Sequence, residues 1–221
     1  PVTGQRLLLT GAGGGGFAVY GLDDPAAPQP LYAGALEGAV GWHDQVLIPH
    51  LVDGRVLLLL AGETLLGPGD LTGQEGNQLP DAVAVVDLTD PAKPALLGTW
   101  RPPMDPRAPW SGYQFSIHEM AATPTGQVAI SWYHAGVWVI DVSTQERQAK
   151  PVALAAYQPH EALTAFPPAT IAYAVPPVPE VPFVWSAGWT RDGHLVVPDM
   201  HTGLYVLKPA WGLHPALDSG Q

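Results

Sequence analysis

The chain has no cysteine. That excludes disulfides, thiolate nucleophiles and cysteine-ligated zinc, and it fits any compartment. Charge is scarce too. Charged residues make up 13% of 221 positions, with nine Lys or Arg against 20 acidic residues and a net charge of −11. A nucleic-acid partner needs a Lys/Arg footprint on phosphate, so none is expected. Anionic membrane surfaces are disfavoured for the same reason. Long apolar runs are missing as well. The longest candidate, Val56 to Ala61, is strand length and far short of the ~20 residues of a membrane span. Pro1 opens neither a basic nor an apolar leader, so the sequence is expected to be mature or partial.

What is abundant points to a folded β-protein. Hydrophobic residues make up 47% of the chain, and glycine and proline number 25 each. This composition suits a sizeable core built from many short strands and tight turns. One phrase then recurs four times: a turn, a short apolar run, a small-residue break and a second apolar run. The copies start at Thr3-Gly4 (QRLLLTGAGGGGFAVYGL), Asp53-Gly54 (RVLLLLAG), Thr125-Gly126 (QVAISWYHAGVWVIDV) and Asp192-Gly193 (HLVVPDMHTGLYVLKP). In the second copy an insert precedes the partner run, Ala82 to Leu88. A period built only of strand-like pieces predicts stacked β-units, and a β-propeller is the leading architecture.

The expected fold is therefore all-β and propeller-like. About four four-stranded blades fall near 4–38, 41–100, 115–157 and 183–208, within a single domain over 1–221. Labelled A to D from the channel outwards, the second blade reads His43 to His50, Arg55 to Leu60, Ala82 to Leu88 and Ala95 to Trp100. The third reads Ser116 to Thr123, Gln127 to Tyr133, Val137 to Val142 and Val152 to Tyr157. Continuous apolar runs such as VLLLL and VWVI fit sheets buried on both faces. The first copy begins at an A–B turn and the last ends after a strand C. The reading therefore expects a segment of a larger propeller, or a chain that completes its ring by self-association with another copy.

The glycine-rich GAGGGG at 11–16 contains a GxGxxG spacing, but it lies between two strands with no helix to hold a pyrophosphate. It reads as a strand B–C turn. No GxSxG elbow is present, which speaks against an α/β-hydrolase triad. The strings LDDPAAP (22–28) and LTDPAKP (88–94) both follow a strand C, with Asp-Pro starting a turn and the second proline entering strand D.

GVWVIDVS and AVAVVDLTDPAKPALLG resemble the LVIVD repeat family of bacterial β-propellers. The resemblance covers most of residues 4–208 and implies the fold but almost nothing about activity. SWYHAGVWVIDVS is also similar to the selenium-binding protein and methanethiol oxidase family. That similarity implies a propeller with histidine-bound copper and an oxidoreductase activity, although the His/Cys-rich motif of that family is absent here.

In a propeller the D–A and B–C connections emerge on one face. All three long insertions, 63–81, 101–115 and 158–182, fall in those connections, so that face is the expected site for a small molecule or protein partner. Such Pro-rich loops can equally do no more than cover the core. The histidines point to the same face. His43 and His118 stand near the starts of inner strands, and His134 and His201 stand at the ends of strands B. Together they form a candidate metal set, for Cu or Zn among others. Asp44 and Glu119 are candidate partners orienting the rings. Trp110 and Tyr113, in the second insertion, are candidate ligand-facing aromatics. The structural alternative is that each histidine simply bonds between neighbouring blades. Two functions follow: a non-enzymatic module binding a ligand or partner on the looped face, or a histidine-coordinated metalloenzyme.

Overall fold

The computed structural model describes residues 4–12, 16–36, 42–63, 82–103, 116–133, 135–159, 183–200 and 202–210. Within them the chain forms four antiparallel sheets. Sheet 1 comprises β1 (Leu7–Ala12), β2 (Gly16–Gly21) and β3 (Gln29–Gly34). Sheet 2 comprises β4 (Trp42–Val52), β5 (Arg55–Gly62), β6 (Val83–Asp87) and β7 (Ala95–Trp100). Sheet 3 comprises β8 (Met120–Ala122), β9 (Gln127–Ser131), β10 (Val137–Asp141) and β11 (Val152–Tyr157). A short helix, α1 (Gln145–Ala149), precedes β11. Sheet 4 comprises β12 (Gly188–Trp189), β13 (Leu195–Asp199) and β14 (Gly203–Leu207). Each sheet is ordered along the chain, so every connection joins neighbouring strands. The expected all-β, propeller-like architecture is what the chain adopts. Among the described residues, no helix is long and apolar enough to cross a membrane.

The repeated phrase sets the register. Gly4, Gly54, Gly126 and Gly193, one in each copy, all have positive φ (75°, 83°, 91° and 82°). The left-handed conformation costs a residue with a Cβ about 1–2 kcal/mol, so glycine marks each turn. The DPxxP strings also act alike. Asp24 Oδ1 accepts from the Ala26 amide at 2.9 Å, and Asp90 Oδ1 from the Ala92 amide at 3.0 Å. At GAGGGG, Ala12 of β1 pairs with Gly16 of β2 in an antiparallel ladder.

Alternation then distributes one strand between two cores. Leu57, Leu59 and Ala61 of β5 join the cluster between sheets 2 and 3, with Val128, Ile130 and Ile140. Val56, Leu58 and Leu60 join the cluster between sheets 1 and 2, with Phe17 and Val19. A third cluster, with Val137, Val139, Leu195 and Val197, lies between sheets 3 and 4. The four sheets thus stack face to face in chain order. β1 lies against β4, β4 against β8, and β8 against β12.

Helix α1 was not foreseen in DVSTQERQAKP. Thr144 caps it, its hydroxyl accepting from the Arg147 amide at 3.3 Å. The helix carries the fully buried Gln148 across to sheet 2. There Gln148 donates to the Val52 carbonyl at 3.1 Å and accepts from Arg55 at 2.9 Å. Arg55 also pairs with Asp87 at 3.2 Å. Gln148→Ala should therefore lower stability by about 1–3 kcal/mol, because it strands a buried carbonyl. The expected reading is a lower urea midpoint at unchanged slope.

Candidate functional site

The inner strands bring their ends together at one rim. His43 lies at the start of β4 and Glu63 just past the end of β5, while His118 precedes β8 and Tyr133 follows β9. β4 and β5 pair Trp42 with Gly62 and then Asp44 with Ala61, so His43 is the extra residue of a β-bulge. A bulge breaks the two-residue alternation and re-aims a side chain. Here it coincides with a His43 ring directed at Glu63, with Nδ1 2.8 Å from Oε2.

His118 comes from the next sheet. Its amide donates to the Ser131 carbonyl at 3.1 Å, and the Ser131 amide donates to the Glu119 carbonyl at 2.9 Å. The buried Ser131 hydroxyl accepts from the Glu119 amide at 2.8 Å and lies 3.0 Å from the Trp185 carbonyl. That same carbonyl lies 2.7 Å from His118 Nδ1. A carbonyl only accepts, so Nδ1 carries a proton there. The His43 and His118 ring centroids are 4.6 Å apart, and the Trp185 ring is 3.9 Å from His118.

Candidate donor atoms of His43, Glu63 and His118 lie within 4.8 Å of one another. His43 is exposed at the rim, while Glu63 and His118 lie deeper. Two imidazoles and a carboxylate suit first-row transition metals. An Nδ1–H held by a backbone carbonyl is the outer-shell arrangement that metal-bound histidines use. The donor set therefore fits a metal ion.

Tyr133 completes the support. It is buried and donates a short hydrogen bond to Glu63 Oε1. Burial first, and then the bonded Glu63, push its phenol far above the ordinary value, so it remains a protonated donor. Its φ of 32° places it in the left-handed region, uncommon for a non-glycine residue. Backbone bridges through Val184 connect it to sheet 4.

Of the sequence candidates, the structure brings His43 and His118 together. His134, His201, Trp110 and Tyr113 lie outside the described residues. Glu119 Oε1 lies 3.9 Å from His118 Nδ1, whose hydrogen bond goes to the Trp185 carbonyl at 2.7 Å. Asp44 does not serve as the hydrogen-bond partner of the neighbouring His43 ring. Its Oδ2 accepts from the Met120 amide at 2.6 Å and clips β4 to β8. Burial raises its carboxyl above the ordinary value, opposed by the Met120 and Gln45 amides. The carboxylate on His43 is Glu63, which sequence reasoning had set at the mouth of an insertion. The signal for it was its place at the end of a strand B, one residue beyond the register of His134.

No family model matches the chain, and no curated protein matches it. Among solved structures it is similar to a candidate 6-phosphogluconolactonase from Bacteroides fragilis. The TM-score is 0.57 at 11% identity, over 94% of this chain and 50% of that one. The fold is propeller-like. At this identity the likeness extends no further, and the chain spans about half the length of the protein it matches.

Proposed function

We propose that this chain is a β-propeller repeat module that binds a ligand at its inner-strand rim through a transition-metal centre of His43, Glu63 and His118. The observation that carries this reading is the convergence of the three donors from two sheets, within 4.8 Å of one another. His43 and Glu63 come from sheet 2, and His118 from the start of sheet 3. A single stray histidine at a blade interface would need no carboxylate, no second imidazole and no buried phenol behind it.

A metal-dependent activity, such as the oxidoreductase chemistry implied by the selenium-binding protein resemblance, is the second reading. It is favoured by the donor count among the described residues. Three protein donors leave positions open at a tetrahedral ion, the pattern of catalytic rather than structural sites. Mixed nitrogen and oxygen donors suit Zn or Cu alike.

Calorimetric titration of the metal-free protein with Zn²⁺ and Cu²⁺ tests both readings. One ion per chain is expected, with binding lost in His118→Ala. Tyr133→Phe should weaken binding by roughly 10–100-fold, the usual effect of removing a group that orients a ligand. The proposal fails if the wild-type chain takes no ion, or if His118→Ala binds as tightly as wild type.

A further inference from the structure

Among the described residues, sheets 2 and 3 are covered on both faces, whereas sheets 1 and 4 are each covered on one. The repeat shows how unusual that is. HAGVWVIDV in sheet 3 aligns with HTGLYVLKP in sheet 4, so Val137 and Val139 correspond to Leu204 and Val206. Val137 and Val139 are 1% and 3% exposed, buried against sheet 4. Leu204 and Val206 are 66% and 62% exposed. Tyr205 and Leu207 pack toward sheet 3, so strand alternation turns Leu204 and Val206 to the far side. There they pair across the strands with Pro198 and Val196, extending the apolar surface.

The opposite end behaves the same way. Leu8 of β1 corresponds to Leu58 of β5 in the turn-Gly register. Leu58 is fully buried against sheet 1, and Leu8 is 40% exposed. Leu7 and Leu9 face sheet 2, so Leu8 faces away, with Tyr20 directly opposite on β2. Each end face therefore repeats a surface that, elsewhere in the stack, another sheet covers. The exposure is greatest at Leu204 and Val206, and apolar side chains left open on a sheet face suit a partner that covers them.

We infer that the open face of sheet 4 docks onto the open face of sheet 1 of a second copy of this chain, and that two such contacts close a ring of eight sheets. The repeat favours a second copy as the occupant: the face on sheet 4 needs what sheet 3 receives, a following sheet of the same repeat, and sheet 1 offers the matching surface. The contact is head-to-tail, and such contacts give closed rings when the rotation closes and fibres when it does not. Eight blades lie at the upper end of the usual propeller range. The inference does not depend on the metal centre.

Light scattering on the eluting chain tests it. The expected mass is twice 23.3 kDa. Val206→Glu and Leu8→Glu, on opposite end faces, should each elute at the monomer mass with unchanged far-ultraviolet circular dichroism. If Val206→Glu does not fold, Val206→Ser supplies the same reading more mildly. An equimolar mixture of Val206→Glu and Leu8→Glu should regain the dimer mass, because such a pair keeps one intact interface. A monomeric wild type overturns the inference, as does a dimer indifferent to both variants. A mixture that stays monomeric, or open-ended polymers in place of a dimer, overturns it equally.

Discussion

Leu59→Ala should lower the unfolding free energy by about 2–5 kcal/mol, among the largest effects of any single truncation in the chain. Leu59 is fully buried in the cluster between sheets 2 and 3. Its neighbours there include Val85, Val128 and Ile130, from strands paired on both sides into their own ladders. Such a site collapses poorly around a void, so the cavity penalty adds to the lost transfer free energy. Leu58→Ala should cost as much, but in the other core, against Phe17 and Val19. Leu96→Ala, on an exposed position of β7, should stay within about 0.5 kcal/mol. Chemical denaturation of the three variants checks the ordering. Equal losses at Leu59 and Leu96 would refute the two-sided burial of β5.

That burial explains how much of the fold was legible in the sequence. RVLLLLAG has no alternation, which in an isolated sheet would be an error and in a stacked one is a requirement. The repeated turn glycines fixed where each unit begins, because a left-handed turn is written directly in residue type. Helix α1 was missed because five residues carry little periodic signal and the flanking proline reads as a strand entry. Its Thr144 cap was visible, but caps alone do not separate a helix from a turn.

The site was legible only in part, for a geometric reason. Sequence places His43 and His118 at equivalent strand starts, and the rim follows from the order of strands. Which carboxylate reaches His43 depends on a bulge, and a bulge leaves no mark in WHDQ. By simple proximity Asp44 was the natural partner, yet it bonds the Met120 amide and joins two strands instead. Trp185 is half-buried, and its carbonyl accepts from His118 Nδ1, a main-chain role that residue type does not announce.

Gly136→Ala should damage stability and the site together. Gly136 has φ 81°, and a Cβ there would lie 2.3 Å from the Tyr157 carbonyl oxygen and 3.0 Å from Gln158 Cα. The left-handed backbone alone costs about 1–2 kcal/mol for alanine, and the clash with backbone atoms adds to it. Gly136 also closes the turn that carries Tyr133. Its amide donates to the Tyr133 carbonyl at 3.1 Å, and its carbonyl accepts from the Trp132 amide at 2.8 Å. Shifting this turn moves the phenol away from Glu63, so metal affinity should fall by roughly 10–100-fold, as in Tyr133→Phe. Gly203 is the equivalent residue in sheet 4, with φ 107° and open space where its Cβ would stand. Gly203→Ala should therefore show only the backbone cost and leave metal binding unchanged. Thermal melts and metal titrations of the two variants side by side make the comparison. If Gly203→Ala loses as much stability as Gly136→Ala, the close approach to Tyr157 does not constrain the turn. If Gly136→Ala unfolds more easily but binds metal as wild type does, the Tyr133 phenol does not hold Glu63 in place.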